Sequence, residues 1–272
     1  MTIAVTLGGR TATARAPDEP ARLVSLAPST TEIVFALGLG ERVVGTCAQC
    51  DHPDAARLVP RVGSYLAPTV EAVLATRPDL VIAVPTPANR EAVRAIERLG
   101  TRVLVVRDRL LADLWESIRA IGAATGREPE SAALEARVRA ALDAVRACVA
   151  GRPRRRVLMV VGHRPLMVVG GQNLQHQLVE LAGGDNVAAD VGAAFPQTSL
   201  EMIAARRPDV IIDAAMGGER GGEMFAPLRH VPAVRDGRIV PLAADELLRT
   251  GPRVAEAARR LAGVIHPEAA CP

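Results

Sequence analysis

Two α/β lobes, each a parallel sheet covered by helices on both faces, joined by one long rigid helix, are the fold class this sequence predicts. Three observations lead there: a duplicated segment, a βα alternation around each copy, and an uninterrupted helical stretch between them. Residues 69–83 read TVEAVLATRPDLVIA and residues 199–213 read SLEMIAARRPDVIID, so Glu71 matches Glu201, Arg77 matches Arg207, and Pro78-Asp79 matches Pro208-Asp209. Each copy has a hydroxyl residue able to cap a helix, an acid in the first turn, and a short apolar helix stopped by proline. Thr198 and Glu201 add the spacing of a capping box. A β-branched run follows, Leu80-Val81-Ile82 or Val210-Ile211-Ile212, with the look of a buried parallel strand. Tyr65 and Phe195 stand at equivalent places before the two acids, in a chain with one Trp, one Tyr and three Phe. A repeat this long points to duplicated lobes instead of a solenoid.

The elements follow in order. Residues 1–20 read as an irregular or edge arm, and Leu23 to Leu26 as the first strand. A turn through Ala27-Pro28-Ser29-Thr30-Thr31-Glu32 enters a helix that closes on Gly38 and Gly40. Arg42 to Thr46 is a second strand, and Cys47 to Tyr65 a polar loop with a short helix. The first repeat copy, a helix over 89–99, a strand over 103–106 and a helix over 111–125 complete the first lobe, residues 1–126. From Pro129 to Val149 no Gly or Pro interrupts a run that places Leu134, Val138, Ala141 and Val145 on one face, so residues 127–150 form a connecting strut. At about 1.5 Å per residue it spans roughly 30 Å. The second lobe, 151–272, opens with a strand at 157–161, turns at Gly162-His163-Arg164-Pro165 into a short strand, and enters a helix at Asn173. Its Leu181 to Val187 segment echoes Leu37 to Val43. A last strand, 239–242, leads through Asp245 and Arg249 to a terminal helix, 252–265.

Composition narrows the classes of function. The formal charge of +3 comes mostly from arginine, without the interleaved aromatics of a nucleic-acid patch, so nucleic acid is set aside as a partner. No apolar run is long enough for a membrane helix. No GxSxG, phosphate loop or HExxH occurs, the five histidines have no ligand spacing, and the glycine-rich stretch with Gly217-Gly218 and Gly221-Gly222 carries no dinucleotide fingerprint. No catalytic residue, metal site or intrinsic cofactor is therefore expected. Cys47-x-x-Cys50 lacks the second ligand pair zinc would want, and a disulfide stays open for an exported chain.

Two similar lobes without a catalytic cluster suggest a clamp whose ligand lies beyond the carboxyl ends of the strands. The loops so placed hold Ser29, Thr30, Gln49, Tyr65, His163, Phe195, Asp245 and Arg249. Tyr65 and Phe195 would bring flat apolar faces from opposite sides, or else cap the cores of their own lobes.

Over residues 20–265 the chain resembles the class III substrate-binding proteins of ABC importers, which deliver cobalamin, siderophores and haem. The features are the Ser29 to Glu32 turn, both Pro-Asp repeats, the Ala182 to Asn186 AGGDN segment and the strut. The cobalamin branch is favoured by the Cys50-Asp51-His52-Pro53 turn and by Tyr65 shortly after Val62-Gly63. Phe195-Pro196-Gln197-Thr198-Ser199-Leu200-Glu201 and the set Asp245, Arg249, Pro252 and Arg253 match that branch too. The resemblance implies a cobalamin or related corrinoid as transported ligand, with Tyr65 and Phe195 on the corrin and Asp245 and Arg249 on its amide fringe or nucleotide loop. It implies Glu71 and Glu201 as docking posts for a permease dimer with its ATPase, a monomeric protein, and a periplasmic location after removal of an export signal. Gln49 departs from the aromatic common in the branch, and both clamp rings are smaller than its tryptophan. The alternatives are a haem or Fe(III)-siderophore carrier, haem being ligated by Tyr65, and a cytosolic corrinoid-binding protein.

Overall fold

The computed structural model describes residues 19–215, 223–243 and 247–271. In the first lobe, β1 (Leu23–Ser25), β2 (Val43–Thr46), β3 (Leu80–Ala83) and β4 (Val103–Val105) form a wholly parallel sheet in the order β2-β1-β3-β4. In the second, β5 (Arg155–His163), β6 (Leu166–Val168), β7 (Gly184–Asn186), β8 (Val210–Asp213) and β9 (Ile239–Pro241) run β6-β5-β8-β9, with β7 also on β5. Every pairing there is parallel except β5 with β6. That hairpin departs from the all-parallel expectation: the predicted turn is too short for a crossover and folds the chain straight back. The AGGDN segment supplies β7.

Leu80 to Ala83 are all fully buried because both sheet faces are covered. Alternate residues serve different cores, as pleating requires. Val81 and Ala83 pack with Val24, Val73 and Val93, toward α2 (Val70–Ala75) and α3 (Arg90–Arg98), whereas Leu80 and Ile82 join a larger core. That larger core crosses between the lobes. It collects Leu23 and Leu80, then Leu134, Val138, Leu142, Val145 and Val149 of α5 (Glu128–Val149), then Val157, Met159 and Val210. Leu142 takes the place in the stripe expected for Ala141, which is only partly buried. α4 (Leu111–Thr125) and the terminal helix α9 (Val254–Ile265) both pack against α5. The strut is thus glued to both lobes, and Arg139 over the Trp115 ring at 4.2 Å adds a cation–π contact at the α4 junction.

All four cysteines are paired, Cys47 with Cys50 and Cys148 with Cys271. The second bond ties the end of α5 to the segment after α9.

The duplication is visible as one structural device used twice. Arg77 and Arg207 hold φ of 49° and 45°, left-handed conformations that end α2 and α7 (Leu200–Arg206) just before proline. Asp79 Oδ2 accepts from the N–H groups of Ala21 and Arg22, and Asp209 Oδ2 accepts from Arg156 N–H. Arg22 and Arg156 in turn donate from Nε to the last helical carbonyls, Thr76 and Arg77 in one lobe, Arg206 and Arg207 in the other. Each repeat aspartate therefore anchors the start of the neighbouring strand, and that strand's arginine seals the helix. The capping expectation needs one correction: Ser199, not Thr198, accepts from the Met202 N–H, and Thr69 makes no side-chain cap.

Candidate functional site: a cleft and its seam between two lobes

The first-lobe wall is built from loops beyond the carboxyl ends of its strands. Gly63 takes φ +112°, and a Cβ there would fall 2.6 Å from Thr69 N, so glycine is required for the turn that presents Tyr65. Gln49 Oε1 accepts from the Tyr65 N–H at 2.8 Å, and Asn89 Nδ2 donates to the Tyr65 and Val84 carbonyls at 2.9 and 3.1 Å. Gln49 and Asn89 thus clamp the backbone of Tyr65, whose half-buried ring rests on the edge of the main core. Arg61, which the sequence did not single out, donates to Thr46 Oγ1 and to the Cys47 and Cys50 carbonyls at 2.6, 3.0 and 2.8 Å. With the Cys47–Cys50 bond it fixes the loop that carries Gln49.

Ser29 and Thr30, adjacent at the start of α1 (Pro28–Ala36), have different fates. Ser29 Oγ donates to Asp108 Oδ2 at 3.3 Å, beyond the end of β4. Thr30 is 1 % exposed, with its hydroxyl bonded to Ser25 Oγ and the Ala27 carbonyl. The expectation that Thr30 touches ligand is corrected: its side chain has no surface to offer and braces the turn from behind. Burial, and then the neighbouring charge of Asp108, push the Tyr65 phenol well above its ordinary range.

In the second lobe His163, at the end of β5, places Nε2 3.0 Å from Asp213 Oδ1 at the end of β8, both side chains buried. Asp213 was not anticipated, although its place at the end of the second repeat copy was the available signal. Phe195 is 41 % exposed, a large cost for an aromatic ring with no further role. The segment after it is held in β-like pairing, Val168 N–H to the Pro196 carbonyl at 3.1 Å and Thr198 N–H to the Leu166 carbonyl at 2.9 Å. Tyr65 and Phe195 therefore stand on opposite lobes, each on a fixed loop. Asp245 lies outside the described residues.

Arg249 does not reach out as a free ligand contact. It pairs with Asp51 of the first lobe and lies 3.9 Å from Glu32 Oε1, only 13 % exposed. That pairing holds the Asp51 carboxyl below the usual range, the hydrogen bond from Arg249 being the largest cause. Beside it Arg253 grips buried Glu32 with two bonds, 3.1 and 2.6 Å. The Thr250 hydroxyl donates to the Asp108 carbonyl, and Leu111 N–H donates to Gln177 Oε1 at 2.8 Å. These contacts form a polar seam joining the lobes. At its flank, Arg107, Arg109 and Asp113 meet Gln172, His176 and Gln177 around a cavity of about 620 Å³. His52 instead lines a separate hollow of about 290 Å³ with Phe35 and Arg253.

Two rigid lobes with exposed aromatic and polar loops at their facing ends define a bilobal binding protein. Residues 23–246 match the model of the family described as periplasmic binding protein, and the chain belongs to that family. It is 31% identical over 250 residues to a vitamin B12-binding protein of Salmonella choleraesuis, covering 90% of both chains. It superposes with TM-score 0.81 on the periplasmic vitamin B12-binding protein BtuF of Vibrio cholerae at 25% identity, covering 92% of this chain and 98% of that one. The periplasmic haem-binding protein RhuT from Roseiflexus matches with TM-score 0.82 and 30% identity, covering 90% and 98%.

Proposed function

We propose that this chain is the substrate-binding protein of an ABC importer, capturing cobalamin or a closely related corrinoid between its lobes and delivering it to a membrane permease. The observation that carries the reading is the near full-length likeness to vitamin B12-binding proteins, joined to a Tyr65–Phe195 pair on opposing loops. Ser29, Gln49 and His163 would supply polar contacts around those rings, and Asp245 is proposed as a further ligand contact. The protein acts as a monomeric, non-enzymatic carrier in the periplasm, with no cofactor of its own.

The haem reading has a specific basis in the likeness to the Roseiflexus protein and in Tyr65 as a tyrosinate ligand for iron. The site argues against it. Burial and the charge of Asp108 both favour the protonated phenol, so a ferric ion would have to displace that proton to be ligated by Tyr65. Tyr65→Phe is expected to retain cyanocobalamin affinity, because a stacking face needs no hydroxyl. Tight hemin binding abolished by Tyr65→Phe would move the protein to the haem group; loss of cobalamin binding in that variant would remove the stacking role of the ring.

Glu71 and Glu201 serve as the docking posts in this reading. Both are exposed in the first turn of equivalent helices, one per lobe, at a separation the strut keeps nearly constant. In cells that depend on this importer, Glu71→Ala with Glu201→Ala should abolish corrinoid uptake while binding by the purified protein stays unchanged. Normal uptake by the double variant would remove the assignment.

A further inference from the structure

Asp108 is a carboxylate near Tyr65 whose side chain takes no part in the polar seam among the described residues. It follows β4, is shielded from most solvent, and accepts from Ser29 Oγ, which is itself 5 % exposed. Its backbone carbonyl takes the Thr250 hydroxyl from the other lobe, so the residue stands at the mouth of the seam. No cation pairs with it among the described residues: the flanking Arg107 and Arg109 line the neighbouring cavity instead. A shielded carboxylate without a cation opposes folding. Burial raises its pKa, the Asp113 charge adds to this, and the bond from Ser29 only partly offsets both. Beyond the bond from Ser29 such a carboxylate can accept further donors, and a ligand edge rich in N–H groups would supply them.

We propose that Asp108 is the specificity residue of the cleft, accepting hydrogen bonds from a ligand rim of neutral amides and rejecting a rim of carboxylates. The inference rests on the corrinoid reading and deepens it. A corrin rim carries carboxamides, whose N–H donors suit Asp108; porphyrin propionates would bring further negative charge against it in a medium of low dielectric. Asp108 also acts on Tyr65, where its charge opposes formation of a tyrosinate. One residue thus works against haem in two ways, through the rim and through the axial ligand.

The test is a calorimetric titration of the wild-type protein and Asp108→Asn with cyanocobalamin and hemin. Exchanging a charge-assisted bond for a neutral one should weaken cyanocobalamin about tenfold. Relief of like-charge repulsion should tighten hemin by about the same factor. The preference for cobalamin over hemin would then fall about a hundredfold. A folded Asp108→Asn protein with unchanged preference overturns the proposal. Should that variant not fold, the wild-type protein decides: cobalamin derivatives with single amides hydrolysed to carboxylates must include one that binds at least about tenfold more weakly than cyanocobalamin. Equal affinity for all of them overturns it. Failure of the wild-type protein to bind cyanocobalamin at all is a different result, which sinks the corrinoid reading and this inference with it.

Discussion

Glu32→Ala is expected to destabilise the protein by about 3–5 kcal/mol, the usual cost of removing one partner from a buried ion pair. The Glu32 side chain is 3 % exposed and accepts two bonds from Arg253, with Arg249 close by. The site was shaped around the carboxylate: Gly251 passes so near that a Cβ there would lie 2.7 Å from Glu32 Oε2. Removing Glu32 leaves Arg253 at the seam without that partner, and alanine cannot fill the gap. Arg253→Ala should cost a similar amount, because the carboxylate it leaves behind is 3 % exposed and, among the described residues, keeps only Arg249, 3.9 Å away, near it. The double variant should be less damaging than the sum of the two, since both remove one interaction. Urea unfolding of the four proteins measures this; a loss below about 1 kcal/mol for Glu32→Ala would reduce the pair to a surface salt bridge.

Removing the Cys148–Cys271 bond, by replacing both residues with serine, is expected to cost about 2–4 kcal/mol. It closes a loop with a sequence separation of 123, so its reduction frees a large part of the unfolded chain. It also pins the end of the strut to the segment following α9. The ligand loops lie elsewhere, so corrinoid affinity should survive in the folded variant. The Cys47–Cys50 bond, with a separation of three, constrains little of the unfolded chain. Its loss should act instead on the loop presenting Gln49, as weaker ligand binding with little change in stability. A Cys148→Ser, Cys271→Ser protein as stable as wild type would contradict the account of the strut.

The large-scale architecture was legible because its signals are local and repeated. Two Pro-Asp copies followed by β-branched runs specify two parallel sheets, and a Gly- and Pro-free stretch rich in alanine specifies the strut. The strand, tight turn and short strand of the β5–β6 hairpin were readable, but the all-parallel expectation overlooked that a four-residue turn cannot hold a crossover and forces an antiparallel pair. In the site, the rule that ligands meet strand carboxyl ends singled out Ser29, Gln49, Tyr65 and His163, all of which lie on segments beyond or at those ends. It included Thr30 by adjacency alone; in a helix turn, neighbouring hydroxyls point different ways, and only the fold shows which is spent on Ser25. Asp108 and Asp213 were missed although both follow strands, because an isolated acid has no motif. Arg249 was read as a ligand contact because its pairing with Asp51 joins residues far apart in sequence.

The measurement closest to the central claim is a titration of the purified protein with cyanocobalamin, aquocobalamin and hemin, followed by calorimetry and visible spectra. The account predicts one-to-one saturation by cyanocobalamin and aquocobalamin with much weaker binding of hemin. Saturation by hemin alone, with the spectrum of a tyrosinate-ligated iron that disappears in Tyr65→Phe, would contradict it.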